Sequence, residues 1–128
     1  MTLSRSLRWM LIVSCLAALP LVAQTSKRTT RVWNDATRLA ALLNDAQTNA
    51  NLSANTWKVI ANEANALANR IYGNTAGNSQ ARSAAKDLRM HVREMRAAAL
   101  AGDAAGAKSH ASQALPFAYT LIDWSMQK

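Results

Sequence analysis

The chain has 128 residues and a formal net charge of +8, from 15 Lys and Arg against 7 Asp and Glu, and it has one cysteine. That length fits one modest domain, a single cysteine excludes an intrachain disulfide framework, and the charge balance points to anionic partners. Hydrophobic residues make up 50% of the chain but aromatic ones only 5%, so a core has to be built mainly from aliphatic side chains.

The N-terminus reads MTLSRSLRWMLIVSCLAALPLVAQ, with Arg5 and Arg8 ahead of an apolar run from Trp9 to Ala23. Ser14 and Pro20 interrupt the run, which is shorter than the ~20 apolar residues of a membrane-spanning helix. The pattern fits a secretory signal peptide over residues 1–23, cleaved after Ala23; the alternative is an uncleaved anchor. Cleavage removes Cys15, and with it any thiolate ligand or disulfide. It also removes Arg5 and Arg8 but no acid, so the mature chain stays basic, has no spanning segment, and is expected in the periplasm or outside the cell. Residues 24–29, QTSKRT, read as a polar lead-in.

Residues 30–128 carry four helical patterns. Val32, Ala36, Leu39, Leu43, Ala46 and Ala50 step by four and three along one face. NANLS breaks that pattern, and Ser53 is placed to cap the next helix. The second face is Trp57, Ile60 with Ala61, Ala64, Leu67 and Ile71, and its opposite side is rich in asparagine: Asn55, Asn62, Asn65 and Asn69. YGNTAGNS follows, with Gly73 placed to end the helix and Asn78 or Ser79 to cap the third.

The third helix runs on Ala81, Ala85, Leu88, Val92, Met95 and Ala99, and Gly102 with Asp103 supply a glycine stop followed by an aspartate cap. The fourth uses Ala104, Ala107, Ala111, Leu115, Ala118 and Ile122, with Pro116 predicting a kink or a separate short last helix. Nothing alternates at period two, so no sheet is expected. Short loops and 3.5-periodic seams predict an all-α, up-down-up-down antiparallel four-helix bundle. Alanine seams let the axes approach, with Trp33, Trp57, Phe117 and Trp124 filling the gaps.

This plan resembles the c-prime and soluble b-type cytochromes, and residues 98–115, AALAGDAAGAKSHASQAL, are similar in style to the last hairpin of that group. The resemblance implies the bundle architecture alone. A c-type attachment needs C-x-x-C-H near the C-terminus, where this chain reads YTLIDWSMQK. The b-type pattern needs a methionine in the first helix and a histidine late in the fourth, and neither stands there. Haem ligation is not implied.

Only RMHVREM, residues 89–95, looks able to hold a metal. His91 and Met95 are four apart on one helix face. Taking Leu88 as the centre of the buried face, Met95 falls about 20° away, His91 about 60° and Met90 about 160°. Met95 is thus expected in the core and His91 at its edge. His110, on the fourth helix, comes within ~4.5 Å of the His91 level along the axis. A His91–Met95–His110 cluster is therefore geometrically conceivable, with no carboxylate expected beside it.

The seven acids are spread singly, and no paired carboxylates, Ser–His–Asp order or Gly-rich phosphate loop occurs, so an enzyme is not expected. The prominent surface feature is Arg82, Lys86, Arg89, Arg93 and Arg96, a ridge ~21 Å long opposite Leu88. It suits anionic lipid, acidic glycan or an acidic protein surface. Nucleic acid is a poor partner, because no aromatic residues interleave the basic ones. On the fourth helix, His110, Phe117 and Trp124 are seven apart, with Leu121 beside them. Phe117, Leu121 and Trp124 form either a wide core arc or an exposed patch for a partner or a second copy. The sequence thus describes an exported helical binding module without a cofactor. The alternative is a small periplasmic metal or haem carrier, or redox protein, using His91, Met95 and His110.

Overall fold

The structure, a computed structural model, describes residues 27–49 and 51–127. The expected signal peptide, the first residues of the lead-in and core position Ala50 lie outside the described residues. Among those described there are four helices and no strand: α1 over 27–48, α2 Ala54–Gly73, α3 Ser79–Leu100 and α4 Ala104–Met126. Residues 27–29, expected in the lead-in, are already helical.

The helix ends follow capping chemistry. Ser53 accepts from the Thr56 amide (3.1 Å), Asn78 from Ala81 (2.9 Å) and Asp103 from Gly106 (2.9 Å). Each bond satisfies one of the amides a helix start leaves unpaired. Gly73 is the last residue of α2, whereas the left-handed turn position is Gly77, at φ 91°. Gly102, at φ 77°, ends α3 as expected. Its amide bonds to the Ala99 carbonyl and the Asp103 amide to that of Ala98. This is a Schellman closure, so Asp103 closes α3 and caps α4.

The core is one cluster contributed by all four helices. Val32, Leu39 and Leu43 of α1, Trp57, Leu67 and Ile71 of α2, and Leu88, Val92 and Met95 of α3 are buried as the periodicity predicts. Alanines fill most of the remaining seam positions. Two assignments shift. Trp33 is 41% exposed and fills no gap, and in α4 Leu121 is fully buried while Ile122 is only partly covered and Ala104 is exposed. The buried face of α4 thus takes Leu121 in place of Ile122.

Pro116 neither splits nor ends α4, which continues unbroken to Met126. Both Pro116 and Ser112, whose carbonyl loses its donor, lie exposed, so water can take the place of the missing hydrogen bond. The helices pack in a bundle-like arrangement in which α3 contacts α2 and α4 extensively, while α2 and α4 barely touch. Ion pairs Arg38–Glu63 and Arg70–Asp35 tie α1 to α2. Among the described residues, no helix is long and apolar enough to cross a membrane.

Candidate functional site

Both chemically distinctive clusters lie on the two edges of α3, because its apolar face is shared between two neighbours. On the α2 edge, Arg82, Arg89 and Arg96 recur every seven residues, about 80–120° from Leu88. The Arg82 and Arg89 guanidinium groups stack on the Tyr72 ring, 3.8 and 3.7 Å from its centroid. Two groups this close to one centroid occupy opposite faces of the ring. Arg82 also donates to the Tyr72 carbonyl (3.3 Å), and Arg96 Nε donates to Asn62 Oδ1 (2.8 Å). The asparagine side of α2 and the basic side of α3 therefore meet along one seam.

The five expected ridge cations consequently divide. Lys86 and Arg93 are exposed, while Arg82, Arg89 and Arg96 are half-buried and anchored on α2. Among the described residues, no ion pair joins any of the five to a carboxylate, whereas Arg38 and Arg70 are each paired. The uncompensated charge also acts on Tyr72. Its hydroxyl is held below the usual phenol range, first by Arg82 as hydrogen-bond donor and then by the charges of Arg82, Arg89 and Lys86, against an opposing effect of burial. Tyr72 lies one residue beyond the last seam position of its helix, and only the three-dimensional pairing reveals its role.

On the α4 edge, His91 and Glu94 lie about 60° and 120° to the other side of Leu88. The His91 and His110 rings approach to 6.4 Å between centroids, as the axial levels suggested. Met95, on the same helix, is fully buried in the core. Beside the two histidines stands Glu94, whose Oε2 is 3.0 Å from His110 Nδ1. The expectation that no carboxylate lies beside the histidines is thus corrected. The signal was present in HVRE, where the i, i+3 spacing puts Glu94 on the flank of His91.

That distance permits an ion pair when the ring is protonated, but the groups are not aligned for a hydrogen bond. Nδ1 of both histidines is buried without a hydrogen-bond partner. Phe117 stacks on His91, the ring centroids 5.7 Å apart and the planes tilted by only 13°. The Phe117, Leu121 and Trp124 line is accordingly part of the packing. Leu121 is fully buried, and Phe117 and Trp124 are partly buried against the core.

Comparison of the chain with family models, with curated proteins and with solved structures finds no match.

Proposed function

We propose that this chain is an exported helical-bundle binding module that engages an anionic surface through the basic face of α3. The observation that carries this reading is the set of five cations, Arg82, Lys86, Arg89, Arg93 and Arg96, none of which has a carboxylate partner among the described residues. Arg38 and Arg70 are paired with carboxylates, whereas these five cations stand together on one helix without one among the described residues. Tyr72 and Asn62 hold three of the five in place, which lowers the side-chain entropy lost on binding. Lys86 and Arg93 stand free in solvent to make first contact.

The reading includes an up-down-up-down antiparallel topology, supported by cross-helix pairs that run in opposite senses: Asp35 with Arg70 and Arg38 with Glu63, then Asn62 with Arg96 and Tyr72 with Arg82. It includes cleavage after Ala23 and a periplasmic or extracellular location, supported by the composition of residues 1–23. Binding is favoured over catalysis because three of the seven acids hold structural posts: Asp35 and Glu63 in ion pairs, and Asp103 as a cap.

The test is co-sedimentation with phosphatidylglycerol vesicles and retention on a sulfated glycan, each over a salt series. Exposed charges are screened over ~10 Å at 0.1 M ionic strength, so binding should fall steeply with salt. Lys86→Gln with Arg93→Gln should reduce it without altering the melting temperature. Lys58→Gln with Lys108→Gln removes equal charge from exposed sites on α2 and α4 and should have a smaller effect. Equal losses from the two pairs, or no binding at low salt, would overturn the reading.

A further inference from the structure

The α3–α4 seam brings together the chain's two histidines and a carboxylate, and nothing in the anion-binding face uses them. One ligand-type atom from each of His91, Glu94 and His110 lies within 4.8 Å of the others. We propose that these three side chains form a binding site for a late first-row divalent transition ion, of the class Zn(II), Co(II), Ni(II) or Cu(II).

The geometry is close to what such an ion needs. Ligand bonds of 2.0–2.2 Å in a tetrahedral arrangement place neighbouring ligand atoms about 3.3 Å apart. Closing from 4.8 Å therefore takes about 1.5 Å of side-chain movement. The Glu94 and His110 side chains are 48% and 28% exposed, so rotation about their own bonds can supply it. The helices need not move. His91 and Glu94 share one flank of one helix at i, i+3, and His110 faces them from α4.

The polar bookkeeping points the same way. Two buried ring nitrogens without partners are costly to leave unmade, and a cation that accepts a lone pair satisfies such an atom. Phe117, stacked on His91, fixes that ring plane and shields one side from water, as an apolar outer shell does around metal sites. The open side is that of Glu94, where water or an exchanging ligand can complete the coordination.

The donor set decides the class of ion. Two imidazoles and one carboxylate suit Zn(II), Co(II), Ni(II) and Cu(II), whereas Mg(II) and Ca(II) prefer all-oxygen shells. Cu(I) would be drawn by a thioether, but Met95 is sequestered in the core.

The experiment is a titration of the tag-free protein with Co(II), followed by its visible ligand-field absorption, then displacement by Zn(II) measured calorimetrically. One ion per chain is expected. Glu94→Gln should weaken binding at least ~10-fold, and His110→Ala should weaken it further. Met95→Leu, a volume-conserving change in the core, should leave affinity unchanged. Glu94 is exposed, so Glu94→Gln keeps the fold and decides the matter even if a histidine variant does not. Two results overturn the site: no Co(II) or Zn(II) binding at millimolar metal, which leaves the cluster a plain interfacial ion pair, or undiminished affinity in Glu94→Gln.

Discussion

Leu88→Ala puts the packing of the bundle on trial at a single position. Leu88 is fully buried, and Ala84, Ala85, Val92 and Met95 are buried around it on the same helix. Removing three carbons forfeits ~2.4 kcal/mol of transfer free energy at ~0.8 kcal/mol each. The void adds up to ~2 kcal/mol if the surroundings do not collapse into it. Alanine neighbours have no rotamers with which to fill space, so most of that second contribution should persist. The expected loss is ~3–4 kcal/mol, a large share of the ~5–15 kcal/mol that stabilises a small domain. For a domain of this size it corresponds to a fall in Tm of roughly 15–25 °C. Met90, two residues on, is 46% exposed, and Met90→Ala should cost under ~1 kcal/mol. Urea unfolding followed by far-UV circular dichroism measures both. Similar losses at the two positions, or less than ~1 kcal/mol at Leu88, would refute the assigned face of α3.

Asp103→Ala removes the cap of α4 at the residue that also closes α3, and should destabilise the protein by ~1 kcal/mol in the same unfolding assay. The Tyr72 hydroxyl should titrate below the usual phenol pKa of ~10 in an ultraviolet titration of wild type minus Tyr72→Phe, and Arg82→Gln should move it back up. Its folded value is depressed, so tyrosinate adds stability above the unfolded pKa and that gain is lost as pH falls through the folded value. Arg89→Gln loses a contact with the Tyr72 ring and should lower stability by ~0.5–1 kcal/mol, whereas Arg93→Gln should leave it unchanged.

Much of the fold was legible because helices buried on one face write that face into the chain. The 3/4 spacing of Val32, Leu39 and Leu43, or of Leu88, Val92 and Met95, survives intact as core. Ser53 and Asp103 are legible as caps because capping depends on local chemistry alone, whereas the choice between Asn78 and Ser79 is settled only by Asn78 accepting from the Ala81 amide. The misses have equally physical causes. Hydrophobicity alone puts Trp33 inside, yet it is 41% exposed, as large apolar residues often are. Leu121 and Ile122 are neighbours in the chain, and which one goes inward depends on how α4 rolls against α3, which periodicity alone does not fix.

The candidate sites were less legible, because they occupy the rims between helices. Arg82, Arg89 and Arg96 on α3, and His110, Phe117 and Trp124 on α4, each recur every seven residues beside a seam. A seven-residue line keeps nearly the same angular position on its helix, so the sequence shows that such a line exists. What it meets depends on which helix lies on which side, and a single sequence leaves that open. Seen alone, the basic line is a solvated ridge, yet three of its members are anchored on Tyr72 and Asn62. The aromatic line of α4, seen alone, is an exposed patch, yet Phe117 lies against His91. The alanine seams explain why these rims matter. Small side chains let the axes approach closely, which brings the flanking long side chains of adjacent helices within reach of each other. The same choice that leaves the core chemically plain therefore concentrates the chain's polar chemistry along the two edges of α3.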